Sequence, residues 1–76
     1  MEELLDRIEV DPGKLGGKPV IRGTRIPVSL VVQLVASGMS VDEIVREYPE
    51  LSHEDIKAAL LYAAKLMEKE VVLAIE

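Results

Sequence analysis

Polar and apolar positions along the chain fall into a few short patterned stretches. In "RIEVDP", Ile8 and Val10 alternate with Glu9 and Asp11, which predicts a short strand stopped by Pro12 and Gly13. "GKLGG" reads as a loop. "PVIRGTRIPV" predicts a β-hairpin with Gly23-Thr24 as a two-residue loop, Gly23 taking the first central position of a type II′ turn. In that register Arg22 faces Arg25 and Ile21 faces Ile26, and Pro27 ends the ladder.

Three helices follow. "SLVVQLVASG" sets Leu30, Val31, Val32, Leu34 and Val35 almost all round a helix axis, which predicts burial on most sides, with Gly38 just past its end. "SVDEIVREYP" opens on a capping box, Ser40 with Glu43 three residues on, and closes at Pro49. "SHEDIKAALLYAAKLMEKEVV" opens on Ser52, with Glu54 and Asp55 in its first turn. Ile56, Leu60, Ala63, Met67 and Val71 lie along one face of it. The expected fold is mainly α with a small β part. It is a single domain over 1–76, with a strand and hairpin in 8–28 and three helices in 29–72.

Composition narrows this picture. Cys, Phe and Trp are absent and Tyr48 and Tyr62 are the only aromatics, so the core must be aliphatic and no disulfide or thiolate metal site can support it. Below roughly 70–80 residues such a core supplies about 3–5 kcal/mol at most, which makes a homodimer or a partner protein the expected supplement. "MEELLDRIEV" has neither the cationic start nor the apolar run of a signal peptide. No apolar stretch approaches the ~20 residues of a membrane span, so a cytoplasmic location is expected. Abundant charge, no Asn and a single Gln (Gln33) fit the thermophile pattern.

Charge is uneven. Residues 12–41 hold Lys14, Lys18, Arg22 and Arg25 and no acid, for +4. The remainder, fourteen acids against five cations, carries −9, which gives the net −5. Two arginines facing each other repel, so an anion should lie between them. Glu9 or Asp11 of the first strand is one source. A nucleic-acid phosphate or a partner's carboxylate is the other, and arginine's fork suits either.

Catalysis is not expected. "GKLGGKP" lacks the first glycine and the hydroxyl of a Walker loop. The single histidine, His53, sits beside Ser52, which is used as a helix cap, and nothing converges into a triad. One histidine with scattered acids makes a poor metal site, and no cofactor is expected. The second and third helices, joined by "PEL", have the spacing of a helix-turn-helix, although Glu54 and Asp55 at the start of the third would repel phosphate. The candidate nucleic-acid or anion contacts are Lys14, Lys18, Arg22 and Arg25, with His53 and Lys57 as secondary ones. The apolar end "VVLAI" offers Val71, Val72, Leu73 and Ile75 either as a cap on the domain's own core or as a dimer or partner surface.

"GGKPVIRGTRIPV" followed by "ASGMSVDEIVREYPELSHEDIKAAL" resembles the small prokaryotic family labelled domain of unknown function 433, over about residues 8–64. The resemblance implies a homeodomain-like, helix-turn-helix fold preceded by strands. It also implies an antitoxin-like role beside a PIN-like nuclease. The expected function is a non-catalytic regulator that binds such a nuclease, with its own promoter DNA as a possible second partner. The alternative is a protein-interaction module or dimeric adaptor with no DNA-binding role. The tail after Ala64 lies outside the resemblance.

Overall fold

In a computed structural model, which describes the backbone of residues 2–75 and the side chains of residues 3–68, the order of elements is helix, two strands, three helices. They are α1 (Glu2–Leu5), β1 (Ile8–Val10), β2 (Pro19–Ile21), α2 (Val28–Ala36), α3 (Val41–Glu47) and α4 (His53–Ile75), with a 3-10 turn at Leu15–Gly17 between the strands. The fold is mainly helical with a small antiparallel sheet, as the patterning implies. Helix α1 is the element that the pattern did not announce. It is a single turn whose Leu4 packs onto the core.

The sheet pairs differently from expectation. β1 and β2 form the hairpin, with Ile8 opposite Ile21, Glu9 opposite Val20 and Val10 opposite Pro19, and residues 11–18 make the connection. The second arm of the predicted hairpin shrinks to one bridge, Val20 to Pro27, because Pro27 has no N–H to continue a ladder. Ile21 and Ile26 do face each other, the Ile21 amide donating to the Ile26 carbonyl at 3.0 Å. Between them lies a four-residue loop rather than a two-residue one. The Thr24 amide donates to the Ile21 carbonyl at 3.0 Å, which puts Gly23 third in the turn, with φ +83°, the type II position. The Thr24 hydroxyl completes the loop, donating to the Ile21 carbonyl at 2.8 Å and accepting from the Ile26 amide at 3.0 Å. Arg22 is consequently not cross-strand from Arg25.

Helix ends behave as their sequences dictate. Ser40 and Glu43 cap each other reciprocally at the start of α3. At the end of α2 the Gly38 amide donates to the Val35 carbonyl and the Met39 amide to the Leu34 carbonyl, a Schellman arrangement that requires Gly38's φ of +101°.

The core is aliphatic, as the composition requires. Val20, Ile21, Val31, Ile44 and Ile56 are fully buried, each worth about 1.5–3 kcal/mol on transfer from water. Two burial patterns depart from the sequence reading. Helix α2 buries only Val28 and Val31, while Leu30, Val32, Leu34 and Val35 are half-buried. Along α4, Ile56 is buried, Leu60 and Ala63 are half-buried, and Met67 is exposed. Among the described residues the last buried position of α4 is Ala59, and α1, α2, α3 and β1 all pack against this helix. Val10 likewise turns out to solvent although Ile8 two residues earlier is buried. Among the described residues, no helix is long and apolar enough to cross a membrane.

Candidate functional site

The basic segment does not form a paired-arginine cradle. Arg22 is turned back onto the protein. Its Nε donates to the Asp6 carbonyl at 2.7 Å and its Nη2 to the Ile8 carbonyl at 3.4 Å, while its backbone amide donates to the Arg7 carbonyl at 2.7 Å. These bonds tie the turn after β2 to the junction of α1 and β1. The acids expected to neutralise the arginines are used elsewhere. Glu9 takes Lys14 at 3.1 Å, and the Asp11 carboxylate accepts from the Gly13 amide at 2.8 Å. The resolution is therefore neither of the two expected. Arg22 satisfies backbone carbonyls, and Arg25 is exposed and makes no ion pair among the described residues. Lys18 and Lys57 are exposed too, with no side-chain hydrogen bond among those residues.

The start of α4 is built around acids. Asp55 is buried, contrary to its expected place among phosphate-facing groups. Its Oδ2 accepts from the Ser52 amide at 3.0 Å, its own amide donates to the Ser52 hydroxyl at 3.2 Å, and its Oδ1 takes Arg7 at 3.1 Å. The carboxylate thus closes a second capping box and fastens β1's approach to α4. His53 meets Asp42 of α3 at 2.7 Å, so the one histidine already faces an acid across the α3–α4 corner. Glu54 stays exposed. Of the two secondary contacts proposed for nucleic acid, Lys57 is the one left unpaired among the described residues. No cluster of three or more His, Asp or Glu side chains suited to a metal occurs among them.

What the pattern did not reveal is a groove of about 610 Å³ between α2 and α4. Val28 and Val32 line one wall, Tyr62, Leu66 and Met67 the other, and Pro19 closes one end. Leu66 is 56% exposed and Met67 53% exposed. Lys18 carries the one charge among the lining residues. The signal that could have found the groove was the apolar residues all round α2, more of them than one partner helix could cover. Val71, Val72, Leu73 and Ile75, the proposed partner surface, have side chains outside the described residues.

Residues 8–63 match the model of the family described as protein of unknown function, DUF433. The chain belongs to that family. The chain is 48% identical over 52 residues to the uncharacterized protein y4eO of Sinorhizobium fredii, a match covering 68% of this chain and 24% of that protein. The chain thus spans about a quarter of the curated relative's length. The crystal structure of a DUF433 member from Anabaena variabilis has the same fold, with a TM-score of 0.78 and 33% identity, over 99% of this chain and 74% of that one.

Proposed function

We propose that this DUF433 chain is a non-catalytic, antitoxin-like regulator that works by binding other protein chains, with a PIN-like ribonuclease as its target. The observation that carries this reading is the uncovered apolar groove between α2 and α4, with Leu66 and Met67 more than half exposed. An apolar surface of this kind on so small a domain is stabilised by a protein that covers it. The nuclease comes from the family resemblance, in which such proteins accompany PIN-like nucleases.

Promoter binding is the weaker reading. In its favour, α3 and α4 are joined by the short Tyr48–Ser52 corner in the manner of a helix-turn-helix. Against it, the start of α4 presents Glu54, and His53 is held by Asp42. Arg22 and Lys14 are already occupied within the fold. Of the six contacts proposed for phosphate, only Lys18, Arg25 and Lys57 are left unpaired among the described residues, too few for a strong grip.

The test is to purify the chain, add it to the PIN-like nuclease encoded beside its gene, and follow RNA cleavage. Stoichiometric loss of cleavage is expected. Undiminished cleavage at a tenfold excess, with no complex by sedimentation, would remove the nuclease from the proposal.

A further inference from the structure

The groove has two helical walls, and its apolar surface continues past one end. From Val28 to Val32 on α2, and from Tyr62 to Met67 on α4, each wall runs about 6–8 Å at 1.5 Å per residue. Pro19 closes the end, and Val10 stands opposite Pro19 in the sheet. Strand alternation puts Val10 on the same sheet face as Ile8, and a cross-strand pair shares a face. Val10 and Pro19 thus lie on the side of the sheet that meets the helices. Ile8 is buried there, but Val10 is 58% exposed. On the other side of β2, the Val20–Pro27 bridge leads straight into Val28 and the groove. The step from Pro19 to Val10 adds about 5 Å, so the apolar surface is about 11–13 Å long.

Both walls are helices, whose backbone N–H and C=O groups are already used within each helix. They offer no ladder to an extended segment, so an occupant must satisfy its own backbone, as a helix does. Apolar residues at i, i+3, i+4 and i+7 of a helix form one stripe about 10 Å long, which fits this surface. Charge narrows the choice. Lys18 is the one charge among the lining residues, on a chain of net charge −5, and it makes no ion pair among the described residues. An acid on the occupant is therefore favoured at the Pro19 end.

We infer that the surface from the α2/α4 groove to Val10 takes an amphipathic helix of a partner protein, apolar at i, i+3, i+4 and i+7, with a carboxylate near its end that pairs with Lys18. This rests on the reading of the groove as a protein-binding surface and names the kind of segment that it binds.

The experiment is fluorescence anisotropy on the full chain with a labelled peptide of about fifteen residues, stapled because so short a helix is marginal alone. The peptide carries leucines at i, i+3, i+4 and i+7 and one glutamate a turn beyond them. The leucine spacing reads the same in both directions, so the glutamate can reach Lys18 whichever way the helix lies. Micromolar binding is expected, and none by a stapled isomer with its leucines spread round the helix. Leu66→Asp should weaken binding about a hundredfold and Val10→Asp about tenfold. Lys18→Glu should weaken it about tenfold, and a peptide with lysine in place of its glutamate should recover most of that loss. Lys57→Glu, at an exposed cation outside the groove, should stay within about twofold. All four substitutions are at exposed positions, and circular dichroism checks that each variant folds. Equal binding of the two peptides, or binding indifferent to Leu66→Asp, overturns the inference. So does dodecanoate binding where the helical peptide fails, which would give the groove to a small amphiphile. A dimer at assay concentration that Leu66→Asp dissolves would give it to a second copy, with the same consequence. Nuclease inhibition reports separately. A peptide that binds as expected beside an uninhibited nuclease would remove only the nuclease, and inhibition that survives Leu66→Asp would overturn this inference alone.

Discussion

Replacing Asp55 with Ala removes the buried carboxylate that starts α4. Three interactions go with it. The Ser52 amide loses its acceptor at 3.0 Å, which costs about 1–2 kcal/mol at a half-buried position where water partly compensates. The favourable acid in the first turn of a helix is lost, about 0.3–1 kcal/mol. The Arg7 pair at 3.1 Å goes too, but Arg7's side chain is 44% exposed, so that pair contributes about 0.5 kcal/mol or less. Together these span about 1.3–3.5 kcal/mol, with a central value of about 2–3 kcal/mol. The core of a 76-residue chain supplies about 3–5 kcal/mol, so this is a large fraction. The melting temperature should fall by about 8–24 °C, measured at fixed protein concentration because association also shifts it. Asp55→Asn keeps an acceptor for the Ser52 amide and should recover about half. Urea melts of Asp55→Ala, Arg7→Ala and the double variant separate the cap from the ion pair, and a coupling energy below about 1 kcal/mol is expected. A loss under about 0.5 kcal/mol for Asp55→Ala would refute the claim that this carboxylate anchors α4. A coupling as large as the whole effect would assign the anchoring to Arg7 instead.

Other substitutions probe the remaining contacts. Arg22→Ala should cost about 1 kcal/mol in a chemical melt, because two backbone carbonyls lose a cationic donor, whereas Arg25→Ala should stay within about 0.5 kcal/mol. Equal costs would restore the paired-arginine idea. Gly38→Ala should destabilise by about 1 kcal/mol or more, since φ +101° strains any residue with a Cβ, even though nothing lies within 4 Å of the added atom. Acid titration should reveal Glu43. Its pKa is held below the usual glutamate range, chiefly by the Ser40 amide, then by the Ser40 hydroxyl and more weakly by Arg46, with burial opposing. Its contribution is therefore complete above the ordinary glutamate pKa and lost as pH falls through the depressed one. Urea midpoints taken from neutral pH down should show that Glu43→Gln flattens this part of the acid limb. If DNA is bound through the proposed contacts, the three of them left unpaired (Lys18, Arg25 and Lys57) predict a log–log salt slope of about −3 or shallower per subunit, and a steeper slope would mean that further cations, such as Lys14, Arg22, Arg46 or Lys65, join the contact.

Much of the fold could be read from local chemistry. Reciprocal capping by Ser40 and Glu43, the break at Gly38 and the stop at Pro12-Gly13 each depend on residues a few positions apart. Such features follow from neighbouring residues alone, as do an aliphatic core and the run of helices after residue 28. Partner choice was different. Whether residues 19–21 pair with 26–28 or with 8–10 depends on which long-range contact buries Ile8, Ile21 and Ile26 together. Local turn signals at Gly23-Thr24 do not carry that information. The same holds for charge. Four cations in thirty residues looked like one receptor, but Arg22 found carbonyls sixteen and fourteen residues back, and Lys14 found Glu9. Asp55 illustrates the reverse: an acid that looks solvent-facing from its place in a first turn is buried, and Arg7, forty-eight residues away, reaches it. Sequence determined which elements form and where they end, since hydrogen bonds within a turn or cap are local. Which polar groups are spent inside the fold, and which apolar faces such as the α2/α4 groove remain uncovered, depends instead on what each side chain meets after collapse, which long-range packing settles.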